Sequence, residues 1–205
     1  MIVLTNPTSV AKEIDIIHEL FDEGLAILHI RKNEISKKLM KDFINSIDPK
    51  HHDKLVLCSH YILADSFNIK GLHLNSQKRF DIQGTLEQSA ISYYKSKGLS
   101  ISTSVHSIEE FNTLESHFDY AFLAPVFPSI SKENHYSKIN LLEAIQKRTN
   151  YNTNLVGLGG INSDTIEETL ANGFDDFALL GTIWTAKNPI KNFKLCQQIV
   201  HSYSL

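Results

Sequence analysis

Leu155-Val156-Gly157-Leu158-Gly159-Gly160 is a short apolar run ending in glycine; a helical pattern follows it, then a second such run, Phe177-Ala178-Leu179-Leu180-Gly181. Runs of this length, apolar at consecutive positions, read as strands buried on both faces. The segment between them opens on Asn162-Ser163-Asp164, carries Asp164 and Glu167 at capping-box spacing, and stops at Gly173. Strand, helix and strand in this order mean two parallel strands joined by a helical crossover.

The same unit recurs toward the N-terminus. Ile2-Val3-Leu4 precedes a helix with Val10, Ile14, Ile17 and Phe21 on one stripe, closed by Gly24. Ala26-Ile27-Leu28-His29-Ile30 precedes an amphipathic stretch carrying Ile35, Leu39, Phe43 and Ile44. Leu55-Val56-Leu57-Cys58 leads to a short helix over 62–67, and Gly71-Leu72-His73-Leu74 to one helix over 86–95. Leu99-Ser100-Ile101-Ser102-Thr103-Ser104 is a polar strand with a helix over 108–114. Tyr120-Ala121-Phe122-Leu123-Ala124-Pro125 is followed by a long loop, 127–136, and a helix over 141–148; a last helix covers 190–201. Eight such strands make the chain an α/β protein, a single (β/α)8 TIM barrel domain over 1–205. An open doubly wound sheet uses the same alphabet, but eight units fit closure and no Gly-x-Gly-x-x-Gly turn follows the first strand.

Bulk properties narrow the function. With 42% apolar and 21% charged residues the chain can bury a core and is too apolar for disorder. A formal net charge of −3 with no dense basic patch argues against nucleic acid, and the lysine-rich run 31–41 reads as a solvated helix face. Cys58 and Cys196 form neither a disulfide framework nor a zinc pattern. With no signal-peptide pattern and no run near the roughly 20 apolar residues of a membrane span, a cytoplasmic protein is expected.

In a barrel, chemistry gathers on the loops after the strands. Gly159-Gly160 after the seventh strand and Gly181-Thr182 after the eighth let backbone N–H groups approach a phosphate. His29 and Arg31, two residues apart at the end of the second strand, share a face that suits an anion. Ser104 and His106 end the fifth strand; His106 is the candidate for proton transfer. Ser129, Ser131 and Lys132 lie on the long sixth loop and can close over an anion. His73 is expected to find a partner within the barrel, and the His51-His52 pair, on the opposite end, to lie at the surface.

These motifs, in order, resemble those of the thiamine phosphate synthase and thiazole tautomerase family over nearly the whole chain. Leu28-His29-Ile30-Arg31 is similar to the family's Gln/His-x-Arg, Gly71-Leu72-His73-Leu74 to Gly-Val-His-Leu, and Ser104-Val105-His106-Ser107 to Ser-x-His-Ser. Asp119-Tyr120 with Ala124-Pro125-Val126-Phe127 resembles Asp-Tyr…Gly-Pro-Val-Phe, Ser129-x-Ser131-Lys132 resembles Thr-x-Thr-Lys, and Gly159-Gly160-Ile161 resembles Gly-Gly-Ile. The synthase branch joins a pyrimidine pyrophosphate to a thiazole phosphate with Mg2+. Carried over, Arg31 and Lys132 would hold the pyrophosphate, Ser129 and Ser131 would line the flap, and Gly160 and Gly181 would hold the thiazole phosphate.

The sequence departs from that pattern where the family binds its metal. The Asn-Asp after the third strand aligns with Cys58-Ser59, the second metal-binding Asp falls near Gln77-Lys78, and a strand-two lysine is Asn33. Mg2+ prefers hard anionic oxygens, so no metal or other cofactor is expected unless the synthase reading holds. On this ground the sequence ranks a metal-independent thiazole tautomerase, with His106 moving the proton, ahead of pyrimidine transfer. A non-catalytic binder of thiamine intermediates is the third reading. Thiazole phosphate is the expected ligand, neither nucleic acid nor membrane is a partner, and a homodimer is expected because barrels of this size often pair.

Overall fold

The computed structural model describes residues 1–32, 34–82, 87–127 and 141–203. Its strands are β1 (Ile2–Leu4), β2 (Ile27–Ile30), β3 (Leu55–Leu57), β4 (Gly71–Leu74), β5 (Ser100–Val105), β6 (Tyr120–Leu123), β7 (Asn154–Leu158) and β8 (Asp176–Leu179). They form a closed barrel in sequence order, each pair parallel, and β1 pairs β8 with Ile2 opposite Ala178. The eight-stranded (β/α)8 barrel read from the sequence is the fold.

Side-chain alternation divides each strand between two environments. Ile2, Leu4, Ile27, Tyr120, Phe122, Val156 and Ala178 cluster inside the barrel. Val3, Leu28, Ile30, Leu55, Leu57, Leu72, Leu123 and Leu155 face outward into the larger core beneath the helices. Those helices are α1 (Glu13–Asp22), α2 (Lys37–Ser46), α3 (Ser76–Ile82), α4 (Glu87–Ser96), α5 (Ile108–Asn112), α6 (Leu141–Ala144), α7 (Ile166–Ala171), α8 (Gly181–Trp184) and α9 (Pro189–Tyr203). Short 3-10 turns at Pro49–Lys54, Tyr61–Asp65 and Ile145–Lys147 complete the outer layer. Ile17, Leu20 and Phe21 anchor α1, and Gly24 closes it at φ 91°, where its N–H reaches the Phe21 carbonyl.

Four local expectations are corrected. The stretch 77–97 holds α3 and α4 rather than one helix. The expected capping box does not form: Asn162 Oδ1 accepts the Asp164 N–H at 2.8 Å, Thr165 Oγ1 accepts the Asn162 N–H at 3.0 Å, and α7 begins only at Ile166. The short polar turn satisfies these donors before helix starts. His51 and His52 are buried: His51 stacks on Phe21, and His52 Nε2 donates to the Ile44 and Ile47 carbonyls at 3.1 and 3.0 Å. Lys32, in the run read as solvated, instead forms a buried ion pair with Glu13, at 2.5 and 2.7 Å from its two oxygens.

At the β8–β1 seam, the chain's single tryptophan, Trp184 on α8, donates its indole N–H to the Leu4 carbonyl at 2.6 Å. No helix among the described residues is long and apolar enough to cross a membrane.

Candidate active site

The C-terminal rim of the barrel gathers residues from β2, β5, β7 and β8. Below it lies a chain of polar groups inside the barrel. Alternation along β5 turns Ser100, Ser102 and Ser104 inward, and small side chains there leave room for the rings of β2, β4 and β6. His29 is fully buried, with Nε2 at 2.7 Å from the Tyr120 hydroxyl and Nδ1 at 3.8 Å from Cys58 Sγ. His73 Nδ1 lies 2.9 Å from Ser102 Oγ, and its Nε2 2.9 Å from Ser104 Oγ.

This arrangement fixes a tautomer. Ser102 spends its hydroxyl hydrogen on the Leu72 carbonyl at 3.2 Å, so its oxygen accepts from His73 Nδ1–H. Burial, reinforced by the Arg31 guanidinium, pushes the His73 pKa down to about 3, so the ring is neutral near neutral pH. Neutral His73 therefore offers Nε2 as an acceptor, and Ser104 donates to it. The lone pairs of Ser104 are left toward the rim, where the residue is half-buried. Burial and the neighbouring His73 also lower the pKa of His29 well below the ordinary histidine range.

The sequence-selected residues separate in space. Arg31 is exposed at the rim, its backbone N–H donating to Thr5 Oγ1 at 2.9 Å, and no carboxylate among the described residues pairs with its guanidinium. His29 is a correction: with no exposed surface it sits beneath the rim and cannot touch a phosphate there. His106 is exposed, and its Nδ1 lies 3.0 Å from the Ala124 carbonyl. A carbonyl only accepts, so Nδ1 carries the hydrogen and Nε2 is the free acceptor of the neutral ring. Gly159 and Gly160 take φ values of 98° and 69°, left-handed conformations that L side chains rarely adopt. A Cβ on Gly159 would also lie 2.9 Å from Pro125 Cβ. Gly181 opens α8, whereas the Thr182 hydroxyl is spent on the Ile161 carbonyl, leaving only its backbone for a ligand. Ser129, Ser131 and Lys132 lie outside the described residues.

Sequence reasoning missed the support beneath His106. Arg79 on α3 is buried, pairs with Glu110 on α5 and donates to the Ser104 carbonyl at 3.2 Å. Glu110 Oε2 in turn accepts the His106 backbone N–H at 2.7 Å. Residues 31 positions apart leave no signal in spacing. Glu110→Ala removes a carboxylate paired with the buried Arg79 and should cost about 2–3 kcal/mol, below the fully buried range because Glu110 is 24% exposed. Adding Arg79→Met should restore part of the loss; a double variant as unstable as the sum of the singles in urea unfolding would refute the coupling.

Among the described residues the donor set does not fit Mg2+. At the β3 end, burial pushes the Cys58 thiol up to about 12, so it is a protonated soft sulfur, and Ser59 offers a neutral hydroxyl. Position 78 is a lysine. Two carboxylates touching the segments after β2 and β5, Glu13 and Glu110, are each tied to a cation, and Glu34 on the loop after β2 is exposed. No group of three or more His, Cys, Asp or Glu side chains among the described residues is arranged to hold a metal ion.

Comparison with known proteins identifies the family. The family described as thiamine monophosphate synthase matches residues 1–183. The chain belongs to the thiamine monophosphate synthase family. A thiamine-phosphate synthase from Dictyoglomus thermophilum is 26% identical over 199 residues, covering 94% of this chain and 85% of the relative. The thiamine phosphate pyrophosphorylase structure from Bacteroides thetaiotaomicron is 30% identical at a TM-score of 0.74, covering 98% of this chain and 97% of the other. That from Pyrococcus furiosus, 19% identical with a TM-score of 0.76 over 98% and 95% of the two chains, shares the fold. This places the chain in an enzyme family of thiamine biosynthesis. It also overturns the ranking drawn from the missing carboxylates: the relatives favour the pyrimidine transferase, and none of them supports an isomerase.

Proposed function

We propose that this protein joins a pyrimidine methyl pyrophosphate to a thiazole phosphate and releases pyrophosphate. The supporting observation is that one rim carries two separate places for an anion. The Arg31 guanidinium, without an ion-pair partner among the described residues, stands at the end of β2, and the left-handed Gly159-Gly160 turn with Gly181 stands after β7 and β8. An isomerase needs one phosphate grip; a transferase with two phosphorylated reactants needs two.

In this reading the glycine turns hold the thiazole phosphate through backbone N–H groups, and Arg31 holds the pyrophosphate. The bond between the pyrimidine methylene carbon and the pyrophosphate oxygen breaks, and its electron pair leaves with pyrophosphate. The thiazole ring nitrogen supplies the pair for the new carbon–nitrogen bond. Ser104, with its hydrogen committed to His73, presents an acceptor suited to a ring amino group, and exposed His106 Nε2 is a second acceptor on the same rim. Ser129, Ser131 and Lys132 are the proposed flap over the leaving group.

The test is incubation of the purified protein with both substrates, with and without Mg2+, following pyrophosphate release and coupled product. Formation of both supports the transfer; binding of thiazole phosphate with no product under either condition refutes it. Gly159→Ala should raise the KM for thiazole phosphate by about tenfold or more, because a backbone donor turn is lost to strain and to the contact with Pro125.

A further inference from the structure

The residues at the metal positions of this barrel are not merely poor ligands; they are replaced by a different electrostatic arrangement. Three observations define it. First, the β3 end presents Cys58 and Ser59 where an anion-ligated metal would need carboxylates, and Ser59 Oγ is buried without a hydrogen-bond partner among the described residues. Second, two carboxylates that touch the segments after β2 and β5 are tied to cations, Glu13 to Lys32 and Glu110 to Arg79, while Glu34 on the loop after β2 is exposed. Third, Arg31 is exposed at the rim, and no carboxylate among the described residues pairs with its guanidinium.

We propose that this rim binds a pyrophosphate-class anion directly through Arg31, without a bridging divalent cation. A metal-bridged site needs protein carboxylates to hold the ion against the ligand's own charge; such carboxylates would repel the bare anion. Cys58, Ser59 and Lys78 in their place bring no carboxylate to repel it. Arg31 then faces the anion with its planar donor fork and no ion-pair partner among the described residues. Cys58 and Ser59 bring no carboxylate to the β3 end, and the Ser59 hydroxyl has no hydrogen-bond partner among the described residues. The transfer reading supplies only the natural source of this anion. The binding claim stands or falls by itself.

Inorganic pyrophosphate is the probe, titrated calorimetrically into metal-stripped protein in EDTA and again in excess Mg2+. Measurable binding in EDTA that is weakened at least about tenfold by Arg31→Ala, and less by Arg31→Lys, is the expected result. Added Mg2+ should leave the affinity unchanged or lower it, since it competes for the anion. A Ser59→Asp/Lys78→Asp double variant should lose binding in EDTA and regain it with Mg2+, with circular dichroism confirming the fold. Binding by the unaltered protein only in Mg2+, or binding in EDTA indifferent to Arg31→Ala, would overturn the proposal. Failure of the transfer assay alongside intact EDTA-resistant binding would remove the catalytic reading and leave this one standing.

Discussion

Gly71→Ala should be the most damaging single methyl group that can be added to this barrel. A Cβ at that position would lie 2.1 Å from Ser100 Oγ, 2.3 Å from the Ser100 carbonyl oxygen and 3.0 Å from its carbon. Gly71 and Ser100 are directly paired across β4 and β5, so neither backbone can retreat without breaking the ladder. Overpacking of a rigid interior costs about 1–3 kcal/mol, and contact with backbone belongs at or beyond the top of that range. The loss is a large share of the 5–15 kcal/mol or so that stabilises an ordinary domain. Thermal unfolding of the variant checks it. Ser100→Gly in the same chain removes the Oγ contact but not the carbonyl contact, so it should rescue little. A variant with the melting temperature of the parent would show that the two strands can part more easily than their pairing implies.

Acid should destabilise the protein earlier than carboxylate titration alone would. His29 and His73 are buried as neutral rings, and the folded-state pKa of each is depressed, His73 to about 3. The unfolded chain takes up protons on both as pH falls through about 6.5, whereas the folded barrel does not. More protons on the unfolded state mean that stability is full above that pH and is lost as pH falls below it. Each such histidine contributes a slope of about 1.4 kcal/mol per pH unit well below the unfolded value, so the pair approaches twice that. Denaturant midpoints measured from about pH 7 to about pH 5 should therefore fall steadily, and His73→Gln should flatten the slope by about half. A midpoint that is level across that window would mean that both rings gain protons without leaving the barrel.

The barrel itself was legible because closure requires one simple pattern eight times over, apolar run, helix, apolar run, and each run carries that information locally. The glycines of the rim were equally legible, since Gly159, Gly160 and Gly181 stand directly after strands. What sequence could not supply were pairs made by the closure. Lys32 meets Glu13 and Arg79 meets Glu110 only because neighbouring loops are folded onto the same rim. The histidines show the same limit from the other direction. His29 and Arg31 do share a face, but burial ends one residue short of Arg31, so one ring lies inside and the guanidinium outside. His51 and His52 appear polar in sequence, yet their planar rings fill apolar space against Phe21 and Phe67.

The seam between β8 and β1 has a practical corollary. With one tryptophan in the chain, all indole emission comes from Trp184, whose N–H rests on the Leu4 carbonyl three residues beyond Gly181. The protein thus carries its own optical gauge at the point where the circle of strands closes and the glycine turns begin. A ligand settling on those turns and an opening of the seam perturb the same chromophore, the first as a saturable change and the second as a cooperative red shift.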